Sequence, residues 1–173
     1  MYDKEFRKHI SSLKIRKAVR KIARKLNKDY KAEKPLFISV LNGSFLFAAD
    51  LVRKINFECE ISFIKVASYS GTKSTGKIST LIGLNEDLKG RSVIILEDIV
   101  DSGRTLERIK ADLKKHGVKK IRVASLFFKP GAFKGEIKPE YVGMDLSNDF
   151  IVGYGLDYNG LGRNLQDIYV LDL

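Results

Sequence analysis

Apolar and polar positions divide this chain into short apolar runs and amphipathic stretches, and their periods predict its elements. Across Lys14 to Lys31, Leu13, Val19, Ile22, Ala23 and Leu26 form an apolar face while Lys and Arg fill most other positions, which is the pattern of an amphipathic helix. Pro35 opens Leu36-Phe-Ile-Ser-Val-Leu41, an apolar run of strand length, and Ser44 to Val52 reads as a second helix. Ile61 to Ala67 and Ile78 to Leu84 read as strands, separated by turn formers from Ser68 to Lys77 that are too polar to pack. Val93 to Val100 is rich in Val and Ile, as in a parallel strand buried on both faces. Leu106, Ile109 and Leu113 then recur at helical spacing, Gly117 is placed for a left-handed cap, and Ile121 to Phe128 is a further strand. Beyond Pro130 the pattern changes. Tyr141-Val-Gly-Met, Phe150-Ile-Val-Gly and Ile168-Tyr-Val-Leu are short strands without helices between them, expected to form a small hood over the strand ends.

Strands alternating with helices predict an α/β fold, with a central parallel sheet flanked by helices. At 173 residues the chain suits a single domain, 1–173. Its core is expected at about 30–130 and the hood at about 131–173, with a contribution from the N-terminus. In such sheets ligands bind outside the carboxyl ends of the strands.

Composition narrows the setting. The one cysteine, Cys59, has no internal partner and fits a reducing compartment. Met1 to Ile10 is charged throughout and no apolar run is long enough to span a bilayer, so no membrane partner is expected and the expected location is cytoplasmic. The formal charge of +11 would attract polyanions or a strongly anionic substrate. The excess gathers at Lys14 to Lys31 and at Lys114 to Lys120, read respectively as a solvated helix face and as cations offsetting a helix C-terminus. Nucleic acid is therefore not the expected partner. Zinc, Walker A and dinucleotide patterns are absent: His9, His116 and Cys59 stand apart, and no Gly-x4-Gly-Lys-Ser/Thr occurs.

The most informative run is Val93-Ile-Ile-Leu-Glu-Asp-Ile-Val-Asp-Ser-Gly-Arg-Thr105, where an apolar strand ends in acids and turns through a glycine into a helix. Unpaired N–H groups at a helix start carry the positive end of its dipole, so Asp101 to Thr105 would cradle a phosphate. Acids beside such a nest need other partners: sugar hydroxyls, a metal or a proton. The loop is thus expected to hold a sugar phosphate. Taken alone, it could also be a strand-to-helix turn capped by Asp101 or Ser102, which would leave Glu97 and Asp98 unexplained.

With Glu97, Asp98, Asp101, Ser102, Gly103 and Thr105 in place, the run resembles the phosphoribosyl pyrophosphate (PRPP) motif of type I phosphoribosyltransferases. Leu41-Asn-Gly-Ser44, the loop Ser68 to Lys77, Lys129, and Phe150-Ile-Val-Gly-Tyr-Gly-Leu-Asp-Tyr-Asn159 follow in the order found in hypoxanthine-guanine phosphoribosyltransferases. The resemblance covers the chain from about Leu36 onward and implies the type I phosphoribosyltransferase fold. It implies purine salvage: transfer of the phosphoribosyl group of PRPP to N9 of hypoxanthine or guanine, giving IMP or GMP and pyrophosphate, with Mg²⁺. Two rival readings are a nucleic-acid-binding regulator on this fold and an enzyme of this fold acting on xanthine.

The resemblance also implies roles. Glu97 and Asp98 would meet the ribose hydroxyls, directly or through Mg²⁺, and Asp157 would be a further metal contact. Asp101 would be the catalytic group, as general base or as electrostatic partner of an oxocarbenium-like transition state. Ser102, Gly103, Arg104 and Thr105 would hold the 5′-phosphate, with Arg104 standing where several relatives have lysine. Leu41, Asn42 and Gly43 would bind pyrophosphate through backbone amides, often with a cis peptide, together with Arg163. Asn42 departs from the Lys or Arg of many relatives, and Gly160-Leu-Gly162 replaces bulkier residues. Ile99, Lys129, Phe150, Ile151 and Asp157 would line the purine site, with Lys129 donating to the 6-oxo group and Phe150 stacking on the base. Ser68 and Tyr69 would belong to a lid that excludes water. Relatives commonly form homo-oligomers, dimers or tetramers.

Overall fold

A computed structural model describes residues 4–66, 80–82, 87–136 and 138–172. In chain order the elements are β1 (Phe6–Ile10), α1 (Ser12–Asp29), β2 (Leu36–Leu41), α2 (Phe45–Val52), β3 (Glu60–Val66), β4 (Thr80–Ile82), β5 (Ser92–Val100), α3 (Arg104–Lys115), β6 (Lys120–Phe128), β7 (Tyr141–Asp145), β8 (Ile151–Val152) and β9 (Ile168–Leu171). Six strands form one sheet in the order β4-β3-β2-β5-β6-β7. β3, β2, β5, β6 and β7 run parallel and β4 is antiparallel at the edge. The expected α/β fold with a central parallel sheet is thus present.

β5 is apolar without interruption because both of its faces are covered. Ile94 and Leu96 pack with α1 and α2, whereas Val93 and Ile95 pack with Leu106, Ile109 and Leu113 of α3. α1 buries Ile15, Ala18, Val19, Ile22, Ala23 and Leu26. Leu13, expected on that face, is instead 53% exposed, because a position two before Ile15 falls outside the buried arc of a 3.6-residue helix. Ser11 caps this helix by accepting from the Lys14 N–H at 3.4 Å.

Two differences from the sequence expectation concern the small sheet. β7 was expected in the hood but pairs in parallel with β6, Ala124 opposite Tyr141 and Phe128 opposite Asp145, and so closes the main sheet. The hood sheet is β1-β9-β8, antiparallel throughout. Its first strand, Phe6-Arg-Lys-His-Ile10, is too charged to read as a strand in sequence. It forms because β9 supplies its backbone partners, and Lys8 pairs with Asp167 at 2.6 Å.

Strand order reverses between β2 and β5: β3 and β4 lie beyond β2, whereas β6 and β7 lie beyond β5. The crevice this reversal opens at the carboxyl ends of β2 and β5 is where an α/β sheet binds its ligand. The hood chain crosses above the same crevice.

Candidate active site

The register of β5 and β6 builds the centre of the site. Val100 lies opposite Phe128, so Asp101 and Lys129 leave the sheet side by side, with Lys129 Nζ 3.4 Å from Asp101 Oδ2. The Lys129 N–H donates to the Val100 carbonyl at 3.0 Å, which fixes that juxtaposition in the backbone. Lys129 is buried, whereas the Asp101 side chain is 55% exposed.

Beyond Asp101 the chain turns into α3 at Gly103, whose φ of 84° no L-residue adopts without strain. A Cβ there would also meet the Phe133 ring at 2.6 Å. Gly103 is the N-cap of α3 and has no side chain to bond the first-turn amides. Those amides face a pocket lined by Glu97, Ile99 to Gly103, Thr105 and Leu106. The Arg104 N–H donates to Ser102 Oγ at 3.5 Å, and a helix start whose remaining first-turn amides lack a side-chain cap can serve as an anion cradle. Ser102 and Thr105 lie in it, but Arg104, expected there, does not. Its side chain is exposed on the first turn of α3, where the helix rotates it away from the nest.

A second, larger pocket of about 330 Å³ adjoins the first, and Ile99 and Asp101 line both. Asn42, Gly43 and Asp98 form one wall, Lys129 another, and Phe150, Ile151, Leu156, Asp157 and Arg163 come from the hood. The Leu41–Asn42 peptide is cis. Gly43 lies against the Asp98 carboxylate so closely that any Cβ would overlap it. A Cβ on Gly155 would likewise overlap the Gly43 carbonyl, so two glycines permit the hood loop, the β2–α2 loop and Asp98 to meet. Phe150 is 46% exposed and is held on its flank by Tyr158 in an edge-on contact with centroids 5.8 Å apart. Arg163 donates from Nη1 to the Gly155 carbonyl at 2.7 Å and pairs with Asp157 at 2.5 Å. The Gly160 N–H donates to the other Asp157 oxygen at 2.7 Å.

The acids are electrostatically uncomfortable. Burial pushes Glu97 well above the usual carboxylate range, and the neighbouring charge of Asp98 pushes it further. Burial raises Asp98 to about 6, although it accepts from the Ile99 N–H at 2.8 Å and feels Arg163. A carboxylate taken out of water without a bonded cation has this signature. The expected metal set of Glu97, Asp98 and Asp157 is gathered only in part. Asp98 and Asp157 line the same pocket, but Glu97 faces the smaller pocket at the start of α3, because successive residues of a strand point to opposite faces. Among the described residues no group of three or more His, Cys, Asp or Glu side chains is placed to hold a metal ion.

The structure thus brings together most of the expected residues, with Leu41 at the end of β2 just outside the pocket lining. Ser68 and Tyr69 lie outside the described residues. Leu156 was not anticipated, since a lone leucine between Gly155 and Asp157 gives no sign that it faces a pocket. Nor were Tyr154 and Asp50, which bond through the tyrosine hydroxyl at 2.6 Å and tie the hood to α2.

A helix-start nest beside an aromatic-walled pocket, with an acid and a lysine at the seam, defines an α/β protein whose site can take an anion beside a flat polar ring. Residues 9–159 match the family model of the phosphoribosyl transferase domain. Over 158 residues the chain is 42% identical to a hypoxanthine-guanine phosphoribosyltransferase of Streptococcus pyogenes, covering 91% of this chain and 87% of that protein. It superposes on the crystal structure of a hypoxanthine-guanine phosphoribosyltransferase from Bacillus anthracis with a TM-score of 0.90 at 37% identity, covering 97% of this chain and 100% of that one. Bifunctional TilS/HprT of Listeria monocytogenes is 37% identical over 163 residues, 94% of this chain, which spans only 25% of that protein's length. The chain belongs to the hypoxanthine-guanine phosphoribosyltransferase family within the phosphoribosyl transferase domain proteins.

Proposed function

We propose that the chain transfers the phosphoribosyl group of PRPP to N9 of hypoxanthine or guanine, forming a purine nucleoside monophosphate and releasing pyrophosphate. The observation that carries this reading is the seam at Asp101. That residue lines both pockets, one a phosphate nest and the other floored by Lys129 and walled by Phe150, so a sugar reaching from one to the other passes beside it.

The amides and hydroxyls of Ser102, Gly103 and Thr105 hold the 5′-phosphate at the start of α3. Glu97 and Asp98 accept from the ribose hydroxyls. Lys129 donates to the purine 6-oxo group, and Phe150 offers a flank-supported face on which the base stacks. Asn42, Gly43 and Arg163 take the pyrophosphate, the guanidinium fork matching its oxygens. Binding in this order of pockets places N9 beside the anomeric carbon. The N9–C1′ bond forms as the C1′–O bond to pyrophosphate breaks. Asp101 lies next to that carbon, where its charge opposes the positive character of the sugar and its oxygen accepts the proton the purine gives up.

Mg²⁺ fits this arrangement. It commonly takes one or two carboxylates and completes its octahedron with water and substrate phosphates, so Asp98 and Asp157 suffice without a third protein ligand. The raised pKa of Asp98 marks a buried carboxylate short of positive charge. When bound, the ion would neutralise pyrophosphate charge and help it depart.

One domain carries all of this, with the main sheet running through β7 and the hood built from β1, β8 and β9. No helix among the described residues is long and apolar enough to cross a membrane. We place the protein in the cytoplasm as a homo-oligomer, a dimer or tetramer. The partly exposed Ile61 and Phe63 on β3 support association.

Incubation with hypoxanthine, PRPP and Mg²⁺ should yield the nucleoside monophosphate and equimolar pyrophosphate, read by chromatography. Asp101→Asn should lower turnover by roughly 10²-fold or more with binding of PRPP retained. Absence of product from the unaltered chain, or an unchanged rate in the variant, would overturn the assignment.

A further inference from the structure

α1 presents to solvent a ridge of cations that the reaction does not use. Lys14, Lys17, Lys21, Arg24 and Lys28 follow one another at spacings of three and four residues, and all are exposed. At 100° per residue they cluster about the pole opposite the buried stripe of Ile15, Val19, Ile22 and Leu26. Arg16 and Arg20 flank the ridge, and both are exposed. Among the described residues none of these seven makes an ion pair with an acid: the charges of Arg7, Lys8, Lys34, Arg91, Lys120, Arg122, Lys129 and Arg163 are paired, but those of the α1 ridge are not. Lys21 alone has a fixed polar contact, donating to the Gly143 carbonyl at 3.2 Å.

Sequence alone assigns this face to solvent, and the structure gives a reason to reconsider. Like charges at i and i+4 destabilise a helix, and no acid within α1 relieves them until Asp29, whose carboxylate accepts from the Tyr141 hydroxyl. A solvated face gains nothing from that arrangement. From Lys14 to Lys28 the ridge is about 21 Å long, with a charge about every 5 Å, a continuous cationic track of the kind a phosphate backbone follows.

We propose that the exposed face of α1 binds the phosphate backbone of a nucleic acid, without base readout. Three features single out this partner. The face carries no aromatic or apolar anchor apart from Leu13, so it lacks the hydrophobic half of a membrane-surface helix. A second copy of the chain would set two such ridges against each other in repulsion. An acidic protein segment would need the apolar or aromatic anchor that this face lacks, whereas a strand of phosphates is held by charge alone. α1 packs on α2, β6 and β7, away from the pockets at the carboxyl ends of β5 and β6, so the face stays available while the site turns over. The inference does not depend on the proposed reaction.

The test is binding of a labelled 20-nucleotide single-stranded RNA to the full chain, followed by anisotropy from 50 to 200 mM KCl. Five phosphate contacts predict a log–log salt slope of about −3.5, a loss of affinity of about 10²-fold across that range. Lys17→Glu, Arg20→Glu and Arg24→Glu together should weaken binding at 50 mM KCl at least 20-fold and flatten the slope. The control, Lys114→Glu, Lys115→Glu and Lys119→Glu, imposes the same charge change at the far end of α3 and should leave affinity within threefold. Nucleotide synthesis should be unchanged in both, which also shows that both fold. Equal weakening by the two triple variants would reduce the effect to net charge and overturn the proposal. So would absence of RNA binding at 50 mM KCl, or capture by phosphatidylserine vesicles in its place.

Discussion

Asp98 is a carboxylate held out of water. Its native pKa of about 6 stands above the ordinary 3.8, so between those values the folded chain binds more protons than the unfolded one. Folding stability contributed by this group is therefore full below about pH 4, falls as pH rises to about 6, and stays low above that. The loss is of the order of 2 kcal/mol after allowing for the part of Asp98 that the pocket leaves open. Asp98→Asn removes the charge and keeps the shape against Gly43. The variant should be more stable than the parent at pH 8 by about 1–2 kcal/mol, and its advantage should shrink by more than half at pH 4.5. Urea unfolding at the two values measures this, and an advantage independent of pH would show that burial of charge is not the cause. The same substitution should weaken PRPP binding, so stability and function pull this position in opposite directions. Glu97 shares the predicament, since burial and Asp98 raise it together.

Among elements, the hood depends on long-range ties that only the fold reveals. Tyr154 has a φ of 46° and its hydroxyl donates to Asp50 of α2, and burial together with that bond holds the phenol well above its usual pKa. Because α2 follows directly on the Asn42–Gly43 loop, this bond sets the hood against that wall of the larger pocket. Tyr154→Phe should cost about 1 kcal/mol of stability by leaving Asp50 without its donor, and should raise KM for PRPP more than it lowers kcat. Thermal unfolding and steady-state kinetics check both, and a fall in kcat alone would locate the role elsewhere. The strands β2, β3, β5 and β6 and the helices α1, α2 and α3 were legible in sequence, because burial on both faces writes continuous apolar runs and burial on one writes helical periodicity. β1 was not legible, since its five residues hold three basic side chains and only β9 makes it a strand. β7 was legible as a strand but not as a member of the main sheet. Nothing in Tyr141-Val-Gly-Met-Asp145 encodes which edge it joins. The phosphate nest could be read from Asp101 to Thr105 because helix starts have local chemistry, whereas the Asp101–Lys129 pair rests on strand register and could not.

At the scale of the whole molecule, chemistry and surplus charge occupy different regions. The pockets sit at the carboxyl ends of β2, β5 and β6 and use Lys129 and Arg163, while the charge that makes the chain +11 lies largely on α1 and at the end of α3. In the proposed reaction a 6-oxopurine is chosen because Lys129, a donor lining the larger pocket, would face position 6 of the ring. Adenine offers a donor there, leaving a buried ammonium facing an amino group, and a site built to bond one polarity discriminates strongly against the other. The most direct test is kcat/KM for hypoxanthine, guanine, xanthine and adenine with saturating PRPP and Mg²⁺. Hypoxanthine and guanine should exceed adenine by about 10³-fold or more. Adenine used as well as hypoxanthine would contradict the account.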